Sequence, residues 1–258
     1  MPTFTILEVA FRTLLVRLRI YITNCTFMRK SLLIFLFLIT GTSLKAQFFI
    51  AGGHINGGFP VSTLKTKVDK TVFPTLSGIL LYEFKAQPFQ VGLEVGYGTY
   101  GTKLEKRDDL YPGFSDEFRL RRNNNYASGM AVFRYLPTLT SKITPFVEIQ
   151  AGANYLYSRF QIRSSIFEDP VEVGIDMQDW GFAYKIGGGV QLPLSFIEGG
   201  KLELRVSYQD GSTMRFLTRG DTNFLPDKGN GEFDYNPRQS PLQLITASVG
   251  IVVYDAFR

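Results

Sequence analysis

Cysteine is nearly missing from this 258-residue sequence: the single one is Cys25, so everything after it has no thiol, no disulfide and no cysteine-based metal site. Histidine is as scarce. His54 alone cannot build a multi-histidine metal centre, although it leaves open a Ser-His-acid hydrolase arrangement. From Gln47 onward no sustained 3.6-residue apolar period occurs, which argues against a helical domain. Nor is there an excess of either charge once the first 46 residues are set aside. They hold six of the 28 cations (Arg12, Arg17, Arg19, Arg29, Lys30, Lys45) and one of the 23 anions (Glu8), leaving 22 of each. The basic balance of the whole chain therefore implies no nucleic-acid partner.

What is present begins with residues 28–47, MRKSLLIFLFLITGTSLKAQ, which place a Met and two cations before the unbroken apolar run Leu32–Ile39 and then Leu44-Lys45-Ala46. That is the layout of a secretory signal peptide, cleaved between Ala46 and Gln47. The run falls well short of the roughly 20 residues a spanning helix needs, and no Cys follows it to carry a lipid. Met28 then reads as the initiator. Residues 1–27 are expected to be a spurious or disordered extension, 28–46 the signal peptide and 47–258 the exported domain.

In that domain apolar residues alternate with polar or small ones, the two-residue period of strands. Phe89, Val91, Leu93, Val95 and Tyr97 interleave with Gln90, Gly92, Glu94 and Gly96; the same pattern recurs over Pro145–Tyr157, Lys201–Gln209 and Ile245–Phe257. Weaker versions lie at 48–59, 75–85, 125–136 and 179–192. The fold expected is all-β, with eight strands long enough for the roughly 9 to 11 residues of a tilted transmembrane strand.

The connections alternate long and short, with long ones at Pro60–Phe73, Lys103–Arg122, Ser164–Met177 and Thr218–Ser240. This is the asymmetry of an antiparallel up-and-down transmembrane barrel. With both termini periplasmic, Tyr82, Phe84, Phe89, Phe133, Tyr135 and Phe257 fall near one membrane boundary; Tyr97, Tyr155, Tyr157, Trp180, Phe182 and Tyr208 fall near the other, as two aromatic girdles. A soluble eight-stranded barrel would reverse the faces, putting Glu94, Glu148 and Glu203 outside, and would need no girdles.

Strand parity places Glu94, Arg134, Glu148, Lys185, Glu203, Arg205 and His54 inside, where an eight-stranded barrel has room for side chains only, so they read as a charge-paired plug. A solute-conducting lumen is the alternative, and a His54-dependent envelope hydrolase a second. Gly96-x-Gly98-x-x-Gly101 has the spacing of a dinucleotide fingerprint, but no apolar helix follows it. Gly92, Gly96 and Gly98 read instead as small residues on the crowded interior face of a narrow barrel, and no cofactor is implied. Arg119, Arg121 and Arg122 in the second long connection read as contacts for lipopolysaccharide or a partner.

The Ala46-Gln47 junction, the eight amphipathic strands and a closing strand with an aromatic near its end resemble the small eight-stranded outer-membrane barrels of Gram-negative bacteria. The layout is similar to that of OmpA and OmpX, and the sequence style to the PorT-like "outer membrane protein beta-barrel domain" group. The departure from the pattern is Arg258, which follows the final aromatic Phe257. The resemblance implies no common reaction and no cofactor. It implies residence in the bacterial outer membrane among lipids and lipopolysaccharide, insertion by the barrel-assembly machinery, and a structural, adhesive or secretion-complex role with an envelope protein partner.

Overall fold

A computed structural model describes residues 49–68, 71–84, 87–110, 117–137, 143–165, 168–225 and 232–255. The expected extension, signal peptide and closing Phe257 lie outside these residues.

A strand with one apolar face and one polar face must bury one of them, and here eight do so by closing on themselves. In chain order the elements are β1 (Phe49–Pro60), the short helix α1 (Ser62–Lys67), β2 (Phe73–Glu83), β3 (Phe89–Arg107), β4 (Phe118–Tyr135), β5 (Thr144–Arg163), β6 (Glu172–Pro193), β7 (Gly200–Gly211), β8 (Thr213–Phe216), β9 (Thr222–Leu225), β10 (Glu232–Tyr235), β11 (Arg238–Pro241) and β12 (Leu244–Tyr254). Strands β1 to β6 each pair antiparallel with the next, β7 pairs with β12, and β12 closes on β1 from Ile50↔Tyr254 to Pro60↔Leu244. The start of β1 and the end of β12 therefore share one rim, the terminal end; the long connections crowd the other, the hairpin end.

The apolar face points out. Ile55, Leu76, Leu93, Val95, Val147, Ile149, Ile186 and Val206 are exposed, whereas Glu94, Arg134, Glu148, Gln150, Glu203 and Arg205 are buried. This is the inverse of a soluble domain and leaves a belt that lipid would cover. Aromatic rows bound it. Tyr97 and Tyr155 both face Ala127 across β4, and Tyr155 pairs with Trp180 and stacks on it at 4.3 Å. At the terminal end Phe89 packs against Phe133 and Tyr135, each at 5.4 Å.

Four strands outrun the belt. β3, β4, β5 and β6 hold 19, 18, 20 and 22 residues against 11 or 12 in β1, β2, β7 and β12. Strand therefore runs into both expected loops, over Lys103–Arg107 and Phe118–Arg122 in the first and Glu172–Met177 in the second, and the four strands form a sheet rising on the order of 25 Å along the strands beyond the girdle. The alternation weakens there because water takes the place of lipid. A strand above the membrane has no need of apolar residues outside, so the period fades although the hydrogen-bond ladder continues. The first long connection differs too: α1 is a helical turn and a half whose Leu64 is buried.

The fingerprint glycines lie wholly within β3. A Cβ on Gly92 would meet the Leu80 carbonyl oxygen, and one on Gly98 the Pro74 carbonyl oxygen. Gly92 and Gly98 thus make room for the backbone of the neighbouring strand β2, whereas a Cβ on Gly96 or Gly101 would meet the side chain of Ser128 or Asn124 on β4.

Leu93 and Leu104 are both exposed on the outward face of β3, one mid-belt and one above the girdle. Leu93→Arg is expected to cost about 2–4 kcal/mol in folding into lipid bilayers and Leu104→Arg about 1 kcal/mol or less, measured by equilibrium unfolding in vesicles. Equal costs at the two positions would contradict a membrane belt between the girdles.

Candidate functional site: the interior charge cluster and the hairpin end

Inward-pointing residues of all eight barrel strands meet in one polar network. Arg134 on β4 donates through Nε (3.1 Å) and Nη2 (2.8 Å) to Glu148 Oε2, and through Nη1 (2.8 Å) and Nη2 (2.9 Å) to the two oxygens of Glu203. Arg205 on β7 grips both oxygens of Glu94 at 2.7 and 2.8 Å and reaches Glu148 Oε1 at 3.1 Å. Glu148 therefore links the two guanidiniums. Such bidentate, charge-assisted bonds suit the planar fork of arginine, and a lysine could not reproduce them.

Neutral donors fill the remaining lone pairs. Gln150 donates to Glu94 and Glu148, and Gln191 donates to Glu203. Tyr254 on β12 donates to Gln191 at 2.8 Å, and Asn56 on β1 donates to Ser77 on β2 at 3.0 Å. The Arg134 guanidinium lies over the Phe146 ring, 4.0 Å from its centroid, and Arg134 has no exposed surface. His54 Nε2 is 3.1 Å from Glu203 Oε1, while Nδ1 has no hydrogen-bond partner among the described residues. A hydrolytic serine would have to sit at that second nitrogen. Lys185 is half-buried and makes no ion pair with a described carboxylate; it lines, with Glu94 and Arg205, an interior cavity of about 20 Å³, room for one water.

Apolar side chains pack at both ends of this interior. Ile50, Ile79, Leu81, Val132 and Val252 cluster on the terminal half of their strands. At the hairpin end Phe73, Tyr100, Tyr126, Leu156 and Leu244 pack with Leu64 of α1 and with Met214, Phe216 and Leu242 from the last connection. Beside them opens a cleft of about 670 Å³ lined by Thr99, Tyr100, Asn124, Thr218 and Arg219.

The last connection lies across the inner face of the rising sheet and is latched there. Arg122, only 4% exposed, pairs with Asp176 and sits beneath Phe233 (5.0 Å to the ring centroid) and Tyr235 (5.9 Å), whose hydroxyl donates to Asp176 at 2.6 Å. Burial and that bond to Asp176 push the Tyr235 phenol well above its ordinary range. A second latch holds Asp221, which accepts from Arg238 and from Thr218. Burial alone would raise its pKa, but these donors hold it below the usual carboxylate range.

Arg119, Arg121 and Arg122 do not act together. Neighbours on a strand point to opposite faces, so Arg119 and Arg121 face outward while Arg122 turns inward into the latch. The expectation that all three meet an external ligand is corrected on this point. Asp176, Phe233 and Tyr235 had no sequence signal, because they lie where alternation is weak. Gln150 shares the parity of Glu148 on β5 and Gln191 that of Lys185 on β6, and both were findable by it.

No protein-family model matches the sequence, and no curated protein matches it either. Among solved structures the chain is similar to OprG from Pseudomonas aeruginosa (14% identity, 81% of this chain and 96% of that one, TM-score 0.40). It is similar too to a major outer membrane protein from Thermus thermophilus (13% identity, 79% and 98%, TM-score 0.37) and to Neisserial surface protein A (10%, 81% and 97%, TM-score 0.33).

Two variants separate the network from the latch. Arg134→Met leaves Glu148 and Glu203 facing each other in a dry interior and is expected to cost about 3–5 kcal/mol of unfolding free energy in urea. Asp176→Asn leaves the buried Arg122 without its carboxylate and should speed protease cleavage in the last connection, at a smaller cost in that unfolding free energy than Arg134→Met because the latch can open without the barrel. A barrel that tolerates Arg134→Met as well as an exposed substitution would refute the network's role.

Proposed function

We propose that this chain is an exported outer-membrane barrel without enzymatic activity, whose interior is structural and whose work is done by its surface at the hairpin end. The observation that carries the reading is the pairing of an apolar, girdled exterior with an interior in which two arginines and three glutamates hold one another. An eight-stranded lumen is just wide enough for side chains. Here large ones fill it, from Arg134 and Gln191 at the terminal half to Tyr126 and Phe73 at the hairpin half, all 4% exposed or less.

In this reading residues 28–46 direct export and are cleaved after Ala46, the barrel-assembly machinery inserts the strands, and the rim with the termini faces the periplasm. The sheet of β3–β6 then stands outside the cell with the last connection latched to its inner face. Its size and rigidity suit an interaction with an envelope partner, in a structural, adhesive or secretion-complex role. The burial of His54 against Glu203, with no hydroxyl of the described residues on Nδ1, supports a non-hydrolytic role.

Planar-bilayer recording from the protein extracted from envelopes tests the closed interior. The expectation is a flat current at moderate voltages. Discrete, reproducible opening events would favour the small-solute pore and overturn the plug.

A further inference from the structure

Above the outer girdle the outward face of the rising sheet is cationic. Lys106 on β3 stands directly opposite Arg119 on β4, which stands opposite Arg163 on β5; nearer the girdle Arg121 faces Gln161, and Asn123 faces Arg159. The outward positions of these three strands, Thr102, Leu104 and Lys106, then Arg119, Arg121 and Asn123, then Arg159, Gln161 and Arg163, hold five cations and no carboxylate.

Like charges placed opposite each other across strands repel, so such a surface is disfavoured unless something anionic lies on it. Among the described residues little of that meets Arg119, Arg121 and Arg159. Lys106 pairs at its edge with Glu117 at 2.6 Å, and Arg163 bonds to Gln161. Arg121 donates to Asn123, a neutral group. Neither Arg119 nor Arg159 pairs with a described carboxylate, and Arg121 and Arg159 are exposed. The contrast with the inner face of the same sheet is sharp, since there Arg122 is buried and paired with Asp176.

Position identifies what covers the face. Arg159 follows Tyr155 and Tyr157 on the same side of β5, so it lies about 7 Å along the strand beyond a girdle tyrosine, at the depth where headgroups begin. Arg121, and then the row of Arg119, Arg163 and Lys106, stand progressively farther out, on the side that continues the lipid-facing surface. Exposed Leu104, Val173 and Ile175 lie among them, apolar surface beside which acyl-linked sugars can pack.

We infer that Arg119, Arg121 and Arg159, flanked by Lys106 and Arg163, form a binding face for the phosphates of lipopolysaccharide in the surrounding outer leaflet. The inference rests on the outer-membrane reading with the hairpin end outward. It assigns the site to a sheet face instead of a loop, brings in Arg159, Arg163 and Lys106, and releases Arg122.

The test titrates the full protein, extracted from envelopes into detergent, with diphosphoryl lipid A, with dephosphorylated lipid A and with phosphatidylglycerol, counting bound lipid by native mass spectrometry. Diphosphoryl lipid A should bind saturably and at least tenfold more tightly than either other lipid. The double variant Arg121→Gln/Arg159→Gln should weaken it about 25-fold, roughly fivefold per cation. Arg121→Lys/Arg159→Lys should keep most of the binding, and Lys65→Gln on α1 all of it. Heat-modifiable gel mobility confirms that each variant is folded. Equal affinity for phosphorylated and dephosphorylated lipid A, equal affinity for phosphatidylglycerol, or unchanged binding by the folded glutamine variant would overturn the assignment. If the wild-type protein lacked heat-modifiable mobility and left the cell with the periplasmic fraction, the barrel reading itself would fail, a separate result.

Discussion

Two guanidiniums hold three carboxylates inside a barrel too narrow to hydrate them, and much else in the structure is arranged around that constraint. A charge removed from water is costly unless it is paired and its remaining lone pairs are met. Arg134 and Arg205 each engage two glutamates, and Gln150 and Gln191 complete the carboxylates. The partners come from β3, β4, β5, β6 and β7, with His54 adding β1. A register slip of one residue in any of these strands would turn its member of the network out to lipid. The network therefore fixes register in a sheet whose outward face, being uniformly apolar, specifies it poorly.

The hairpin end solves a different problem. Once the strands leave the belt, their inward faces need a cover and their outward faces need a counter-charge. The last connection provides the cover through Arg122, Asp176 and Tyr235, with Asp221 and Arg238 tying its base. The outward face carries Arg119, Arg121 and Arg159 with no carboxylate to match. One sheet thus has a closed side and a side that asks for anions, and the same alternation that separates lipid from lumen lower down makes that division.

The barrel was legible in the sequence because lipid imposes a strict period. Every second residue from Phe89 to Tyr97 must suit an acyl chain, so parity alone sorted Glu94 from Leu93, and likewise Glu148, Glu203 and Arg205 on their strands. The rising sheet was not legible, because water accepts almost any side chain. Thr102 to Arg107 reads as a charged loop, and only the ladder with Asn123 to Phe118 shows that it is strand. The same blindness made Arg119, Arg121 and Arg122 look like one patch. Pairings such as Arg134 with Glu203 depend on how far the strands are sheared around the barrel, which a single sequence does not display.

Lipid, dry interior and water all meet the single strand β5, and a cysteine scan along it examines the three at once, since residues 47–258 carry no thiol. Single substitutions at Val147, Ile149 and Ala151 face the belt, Gln150 and Asn154 the interior, and Arg159 and Gln161 the exterior above the girdle. A membrane-impermeant, water-soluble thiol reagent applied to the protein in bilayers should modify Arg159→Cys and Gln161→Cys rapidly and leave the other five nearly untouched. Rapid modification at Gln150→Cys would mean a water-filled lumen, and rapid modification at Ile149→Cys would mean that the belt faces water and the barrel is not embedded.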